Sequence, residues 1–315
     1  MKLAVLEKTS VTVGDIDFSS LENAASVDYY PDKLEGQLLI DTLQGYDGVI
    51  INKTVINKNV INACPQLKYI GLFATGYNNV DTEYASAKGI TVCNVAGYST
   101  DSVAKHVLSF ILYTAESLGN YFSSVSDGDW IKSKVFCYYP YRLNEIKGKT
   151  LGILGYGSIG KRVAEIANVF GMNIIVHSRR NNCAPYRFVS IDELFKESDY
   201  LTVHCPLNAE TEHIVNSEKL SLMKKDAVLI NTARGGVVDE NALAQALREK
   251  RIYAACVDTV SVEPMRADCP LYGLDNCYIT PHIAWAAKET RQRLVNIAAE
   301  NVKAFLEGKP QNKVN

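Results

Sequence analysis

The strongest constraint on the fold is the alternation of short apolar runs with amphipathic stretches along nearly the whole chain. From residue 149 onward, stretches with helical periodicity separate six such runs, at 149–154, 173–178, 200–205, 227–233, 254–258 and 277–281. This pattern is typical of βαβ units, in which helices bury both faces of a parallel sheet. We therefore predict an α/β protein with a complete doubly wound domain in this region.

The first third of the chain shows the same pattern, with four apolar runs at 2–7, 47–52, 67–73 and 90–96. Apolar positions recur at helical spacing from residue 100 to 118 and from about 287 to 307. The stretch at 119–148 is irregular and aromatic, and a loop of that length in a compact chain is usually functional or an interface. We interpret it as a contact with a partner subunit, with packing on its own chain as the alternative.

Composition excludes several classes of protein. The 315 residues carry a formal net charge of −2, which gives no reason to expect a nucleic acid or a membrane surface as partner. The N-terminus lacks the pattern of a signal peptide, and no apolar stretch approaches the ~18 residues of a membrane span. The eight cysteines occur singly, without a metal-binding spacing, and predict reduced thiols in a cytoplasmic protein.

A glycine-rich motif, GYGSIG, directly follows the run at 149–154 and precedes a helical stretch that Gly171 closes. In this context the first glycine permits a tight turn, the second lets a pyrophosphate approach the backbone, and the third lets helix and strand pack closely. The helix N-terminus adds N–H groups that bind phosphate. The motif predicts dinucleotide binding by Gly155, Tyr156, Gly157, Ser158, Ile159 and Gly160.

The next predicted strand ends in a basic tip. About twenty residues after such a motif, an acidic residue normally binds the ribose hydroxyls. Here Ser178, Arg179 and Arg180 occupy that place. Loss of the acid removes the repulsion of a 2′-phosphate, and a guanidinium can pair with that phosphate. The pattern favours NADP(H), with NAD(H) bound through ribose contacts alone as the alternative.

Polar or charged residues follow four later strands, where ligands bind in an open α/β sheet. Arg234 comes directly after one of these strands, and its planar fork suits a carboxylate, with a structural ion pair as the alternative. His282 lies in the otherwise apolar ITPHIAW. A hydrogen bond from this imidazole to the carboxylate of Glu263 would orient the ring and favour its protonated form, which would make it a proton donor. Spacing alone leaves the Glu263–His282 pairing open.

These segments together resemble the D-specific 2-hydroxyacid dehydrogenase family, and the match covers nearly the whole chain. The matching segments are FATGYNNVD, NVAGYSTDSVAKHV, GYGSIG, HCPLNAETEHIVN, LINTARGGVVDENAL, the stretch from 258 to 264, and TPHIAW. The resemblance implies two Rossmann-like doubly wound lobes, with a dinucleotide-binding domain at 100–284 inserted into a flavodoxin-like substrate domain at 1–99 and 285–315. It also implies a homodimer made by the helix and arm at 100–148.

The resemblance also implies roles for individual residues. The catalytic residues are Arg234, Glu263 and His282. The substrate-binding residues are Thr75, Gly76, Arg234 and Trp285. Besides the glycine loop and the basic tip, the cofactor-binding residues are Val103, His204, Cys205, Pro206, Thr232, Ala233 and Asp258. The implied reaction is reversible hydride transfer between a nicotinamide cofactor and a small 2-oxo acid, without a metal.

Two segments narrow the choice of substrate. Trp285 in HIAWAA and the segment FCYYP at 136–140 resemble glycerate dehydrogenases and glyoxylate or hydroxypyruvate reductases. We therefore expect hydroxypyruvate or glyoxylate, with D-lactate or 3-phosphoglycerate dehydrogenase as alternatives. The regulatory extension common in the latter is not found after the last helix, and Glu263 departs from formate dehydrogenases. The family also includes corepressors that keep the catalytic trio, but we find no added segment for their partners.

Overall fold

The structure is a computed structural model that describes residues 1–179 and 185–315. The chain forms two compact units, of which the first comprises residues 1–99 and 286–315. The second comprises residues 100–285 and is therefore a continuous insertion in the first. No helix in the described part of the chain combines the length and the apolar character that crossing a membrane requires.

The first unit is built on a five-stranded parallel sheet. Its elements, numbered along the whole chain, are β1 (Lys2–Val5), α1 (Ser19–Glu22), β2 (Ser26–Tyr29), α2 (Gly36–Leu43), β3 (Gly48–Ile51), α3 (Lys58–Ala63), β4 (Tyr69–Leu72), α4 (Thr82–Ala87), β5 (Thr91–Cys93) and α11 (Lys288–Leu306). The strand order β2-β1-β3-β4-β5 is that of a flavodoxin-like sheet. The central strands β3 and β4 are fully buried, as their unbroken apolar runs require.

The second unit contains a seven-stranded parallel sheet. Its elements are α5 (Thr100–Glu116), α6 (Leu118–Ser126), β6 (Thr150–Leu154), α7 (Ser158–Val169), β7 (Asn173–His177), β8 (Arg187–Phe188), α8 (Ile191–Glu197), β9 (Tyr200–Val203), α9 (Ser217–Leu222), β10 (Val228–Asn231), α10 (Glu240–Arg248), β11 (Ala254–Val257) and β12 (Cys277–Ile279). The strand order is β12-β11-β10-β9-β6-β7-β8, so successive strands are added on one side of β6 and then on the other, as in a Rossmann fold. The predicted α/β class with two doubly wound lobes is confirmed.

Side chains that alternate along each strand of the second sheet build two cores. Leu151 and Ile153 of β6 lie in the core that α5 and α7 cover, together with Ile230 of β10. Leu201 and Val203 of β9 lie in the core on the opposite face, which α8, α9 and α10 cover. Because both faces are covered by helices, polar chemistry is confined to the loops at the strand ends.

Candidate active site

The glycine-rich loop lies between β6 and α7, and two of its three glycines have no room for a side chain. Gly155 has a φ of +99°, and a Cβ atom there would lie 2.7 Å from the backbone nitrogen of Cys205. A Cβ atom at Gly160 would lie 2.3 Å from the carbonyl oxygen of Gly155. At Gly157, by contrast, a Cβ atom would meet nothing within 4 Å. The loop therefore needs Gly155 and Gly160 for its own packing and leaves its backbone open at Gly157.

Two features of this region fit a dinucleotide. Gly157 is the N-cap of α7, a helix of 12 residues whose first N–H groups have no acceptor within the helix and so attract phosphate. Thr232, just beyond β10, is buried, and its hydroxyl has no hydrogen-bond partner within residues 1–179 and 185–315. Such a hydroxyl is available to form a hydrogen bond with a ligand. Both features lie beyond the carboxyl ends of the strands, where this fold binds dinucleotides.

Three residues predicted to bind the dinucleotide have side chains that are buried or that pack against a core. Tyr156 is buried and packs edge-on against Phe188, with ring centroids 6.0 Å apart. Ile159 packs against the same core, and Val103 is buried in the first turn of α5. Any contact of Tyr156 and Ile159 with a cofactor is therefore left mainly to their backbone atoms.

The basic tip after β7 lies at the surface. Ser178 is half-buried, and Arg179 forms an ion pair with Glu210 from the loop after β9. Both charged side chains are 67% exposed, so neither is committed to the protein interior. Arg180 lies outside the described residues. Sequence reasoning missed Glu210, because nothing in the sequence marks it as the partner of an arginine 31 positions away.

The residues after β9 contribute neutral groups. His204 Nε2 lies 2.9 Å from the Thr202 hydroxyl, and burial lowers the pKa of His204 to about 3. Burial raises the pKa of Cys205 to about 11, so this residue is a thiol near neutral pH and a poor nucleophile. Pro206 follows, and its carbonyl accepts a hydrogen bond from the Thr211 hydroxyl. This loop packs against Gly155 through its backbone.

Arg234 leaves β10 in a rigid turn with its side chain exposed. Asn231, which is 1% exposed, shapes this turn, because its Nδ2 donates to Arg234 O at 2.9 Å and its Oδ1 accepts from Ala233 N at 3.0 Å. Gly235 allows close packing on the next loop, since a Cβ atom there would lie 2.0 Å from the carbonyl carbon of Val260. Arg234 forms no ion pair with any described residue. The arrangement suits a carboxylate from a small ligand.

Glu263 and His282, whose pairing the sequence leaves open, are hydrogen-bonded. His282 Nδ1 lies 2.7 Å from Glu263 Oε2, and both side chains are less than a third exposed. Glu263 Oε1 in turn accepts a hydrogen bond from Val260 N at 3.3 Å. In the part of the chain that the structure describes, His282 Nε2 has no hydrogen-bond partner. The carboxylate thus orients the ring and leaves its second nitrogen available for proton transfer.

The backbone at His282 has an unusual conformation, with a φ of +55°. Its N–H donates to the carbonyl oxygens of Asp258 and Thr280, both at 2.9 Å. Asp258 is 2% exposed, and its carboxylate accepts hydrogen bonds from the Thr280 hydroxyl, Ile283 N and Ala284 N. Asp258, predicted to bind the cofactor, therefore also has a structural task in holding the segment at 280–284.

Two of the predicted substrate-binding residues lie in the first unit, on the loop after β4. The Thr75 hydroxyl donates to Val95 O at 2.8 Å, and Asn94 Nδ2 donates to Thr75 O at 2.7 Å. These bonds fix the loop that contains Gly76. Trp285, also predicted to bind substrate, is half-buried and ends the second unit. The described residues contain no group of three His, Cys, Asp or Glu side chains that could hold a metal ion.

Known proteins resemble this chain over most or all of its length. Residues 108–284 match the profile of the "D-isomer specific 2-hydroxyacid dehydrogenase, NAD binding domain". The chain is 38% identical to a hydroxypyruvate reductase of Blautia hydrogenotrophica, with all of both chains covered. It is 40% identical to a glycerate dehydrogenase of Methylorubrum extorquens, with 88% of each covered. An acyclic imino acid reductase, solved with NADPH and D-Arg, has a similar fold, with a TM-score of 0.89, 32% identity and full coverage of both chains.

Proposed function

This chain belongs to the D-isomer specific 2-hydroxyacid dehydrogenase family, and we propose that it reduces hydroxypyruvate or glyoxylate with NADPH as its preferred hydride donor. It is an NAD(P)-dependent oxidoreductase that interconverts small 2-oxo acids and D-2-hydroxy acids. The observation that carries the proposal is the 2.7 Å hydrogen bond between His282 and Glu263. It supplies an oriented proton donor at the carboxyl ends of the strands, where the ligands of this fold bind.

Three residues perform the proposed chemistry. Arg234 binds the substrate carboxylate through its planar fork, and its charge polarises the adjacent carbonyl. A nicotinamide cofactor, when bound, would supply hydride for C2 of the oxo acid. His282 donates the proton on Nε2 to the carbonyl oxygen, while Glu263 accepts a hydrogen bond from Nδ1 and holds the ring. Acid catalysis of this kind contributes about 10²–10⁴-fold to the rate.

The proposed cofactor contacts lie in the second unit. The backbone at Gly157 and the first turn of α7 would hold the pyrophosphate, and the buried hydroxyl of Thr232 would gain the partner that it lacks among the described residues. The residues after β9, Ala233 and Asp258 remain proposed contacts. Ser178 and Arg179 support the preference for NADPH, because Ser178 stands where an acidic residue would repel a 2′-phosphate, and Arg179 could exchange its exposed ion pair with Glu210 for that phosphate. The NADPH of the imino acid reductase also supports this choice.

The substrate proposal rests on the relatives and on two segments of the chain. Two of the relatives are named hydroxypyruvate reductase and glycerate dehydrogenase, and Trp285 and FCYYP resemble that branch. We propose that the backbone N–H groups at Thr75 and Gly76 also bind the substrate carboxylate. We propose the cytoplasm as the location, from the singly spaced cysteines.

A matrix of two cofactors and four oxo acids tests these proposals. We expect the highest kcat/KM for hydroxypyruvate or glyoxylate with NADPH, compared with pyruvate and 3-phosphohydroxypyruvate. A clear preference for pyruvate would overturn the substrate, and a preference for NADH would overturn the cofactor. If no oxo acid causes oxidation of either reduced cofactor, a corepressor-like binding role replaces the enzyme.

We also propose that the chain forms a homodimer through the helix and arm at 100–148. The arm carries large apolar side chains that face solvent in one chain, namely Phe122, Ile131, Phe136 and Tyr139, with exposures of 67%, 88%, 90% and 70%. Clusters of exposed apolar side chains usually mark interfaces. Burying them against a second copy would remove this surface from water.

A further inference from the structure

His106 on α5 is a half-buried, titratable residue to which the mechanism above gives no task. Its side chain is 17% exposed, and its ring packs edge-on against Phe110 with centroids 4.6 Å apart. Burial lowers the pKa of His106, so the ring is neutral near pH 7. His106 Nε2 lies 3.1 Å from Thr280 Oγ1 and 3.8 Å from Asp258 Oδ1. The ring therefore contacts the two residues that hold the backbone of His282.

The acceptor chemistry of Asp258 fixes the direction of these hydrogen bonds. Thr280 Oγ1 lies 2.6 Å from Asp258 Oδ1, and an ionised carboxylate only accepts, so the threonine hydroxyl donates its single proton to Asp258. The same hydroxyl can then only accept from His106, which must carry its proton on Nε2. The hydrogen bonds therefore form one chain, in which His106 donates to Thr280 and Thr280 donates to Asp258.

Asp258 receives most of the polar contacts that hold the turn at His282. Three successive backbone N–H groups, of His282, Ile283 and Ala284, donate to it: the first to its carbonyl oxygen and the other two to its carboxylate. A left-handed backbone is unfavourable for an L-residue, and it persists only where the surroundings over-determine it. Asp258 supplies that constraint at His282.

Helix α5 holds the same turn at a second point. Ser102, one helical turn before His106, is buried and donates from its hydroxyl to Ala284 O at 2.7 Å. The turn is therefore attached to α5 at both ends, through Ser102 to residue 284 and through His106 to Thr280. No described contact joins His106 directly to His282.

We propose that His106, Thr280 and Asp258 are positioning residues, which fix the backbone of His282 so that its ring remains on Glu263 and its Nε2 at the reacting oxygen. The proposal rests on the proposed role of His282. It adds that the catalytic geometry is set from α5 by a chain of hydrogen bonds. If these hydrogen bonds only stabilised the fold, their removal would change the melting temperature without a selective effect on kcat.

The first test compares Thr280→Val, which removes the hydroxyl at nearly constant volume, with Thr280→Ser, which keeps it. We expect Thr280→Val to lower kcat about 10- to 100-fold, because a displacement of about 1 Å at a reacting group costs up to about 10²-fold. The KM values for oxo acid and NADPH should stay within about threefold, since neither binding contact is removed. Thr280→Ser should keep kcat within about threefold.

The second test uses His106→Leu and His106→Gln, so that the proposal remains testable if Thr280→Val does not fold. Glutamine places an N–H close to the position of His106 Nε2 and should restore most of the kcat that leucine loses. The double variant His106→Leu/Thr280→Val should be no slower than the slower single variant by more than about threefold, because both changes break the same chain.

A spectroscopic readout separates this proposal from the proposed function, because it requires neither cofactor nor turnover. The Nδ1–H of His282, bonded to Glu263, should give a downfield proton resonance, assigned by its loss in His282→Gln. We expect it to broaden or disappear in Thr280→Val and to persist in Thr280→Ser. The positioning role is overturned if Thr280→Val keeps both the resonance and kcat, or if serine behaves like valine. Normal turnover of His282→Ala would instead remove the acid role of His282 on which the proposal rests, whereas the resonance reports the position of the ring independently of that role.

Discussion

Alanine should weaken cofactor binding at the second glycine of GYGSIG and should destabilise the fold at the third. Gly157→Ala should leave the fold intact and weaken cofactor binding, because the added Cβ atom meets nothing within 4 Å. The backbone at Gly157, with φ −81° and ψ −164°, also accepts an L-residue. Gly160→Ala should destabilise the protein, because its Cβ atom would lie 2.3 Å from the carbonyl oxygen of Gly155.

The magnitudes follow from these distances. Relief of a 2.3 Å contact with a backbone atom requires a shift of the helix against the strand, and overpacking of this kind costs about 1–3 kcal/mol. At roughly 2–4 °C per kcal/mol for units of about 150–250 residues, Gly160→Ala should lower Tm by several degrees. At Gly157 the methyl group would occupy the approach of the pyrophosphate. Loss of one charge-assisted hydrogen bond costs about 1.5–3 kcal/mol, which corresponds to about 10- to 100-fold in Kd.

Two measurements on each variant separate the effects. Thermal unfolding without cofactor reports the fold, and a fluorescence titration with NADPH reports binding. We expect Gly157→Ala to melt within about 1 °C of the wild type and to bind NADPH about 10- to 100-fold more weakly. The reasoning is refuted if Gly157→Ala binds NADPH normally, or if both variants lose the same Tm.

Four further changes have defined outcomes. His282→Ala should lower kcat about 10²–10⁴-fold while the Kd for NADPH, measured by fluorescence, stays within about twofold; near-normal turnover would remove it from the acid role. Arg179→Ala should lower kcat/KM for NADPH about 2- to 100-fold and leave that for NADH unchanged, because a bond to phosphate worth about 1.5–3 kcal/mol replaces a surface ion pair worth about 0.2–1 kcal/mol. Equal losses with both cofactors would contradict this. Phe136→Asp should produce monomers in light scattering, whereas Val169→Asp, equally exposed but outside the arm, should not. Burial lowers the pKa of His204 to about 3 from about 6.5 in an unfolded chain, so the unfolded state takes up the proton first as pH falls. Urea unfolding should therefore show that the wild type loses about 2 kcal/mol more stability than His204→Gln between pH 7 and pH 5, and parallel losses would show that this imidazole is not buried in solution.

The sequence predicted the central strands of both sheets and missed two at the edges. β3, β4, β6 and β10 are fully or almost fully buried, so their apolar runs are unbroken. β2 has the sequence SVDY and is partly exposed along its length, and β8 has two residues. Edge strands face solvent and have fewer ladder partners, so their composition resembles that of loops.

Prediction of the site from the sequence has a similar limit. The glycine motif, Arg234, Glu263 and His282 have a recognisable local context, but the residues that position them do not. Asn231 shapes the turn at Arg234, and Thr280 holds the turn at His282, yet each is an ordinary polar residue near a strand end. His106 acts, by our proposal, on a residue 174 positions away. Such contacts depend on the packing of elements that are remote in sequence, which a periodic pattern does not report.

The hydrogen bond between Ser102 and Ala284 has a consequence for protein engineering. The second unit starts at Thr100 and ends at Trp285, so its entry and exit are next to each other at this bond. An inserted domain whose two ends lie close together requires little rearrangement of the loop that receives it, and domain insertion therefore succeeds at such points. The unit can therefore be exchanged as a cassette between related chains, with hydride-donor preference carried inside it and the loop at Thr75 left in the host. By our proposals, a chimera of this design would take its cofactor site, Arg234 and Trp285 from one parent and the loop at Thr75 from the other.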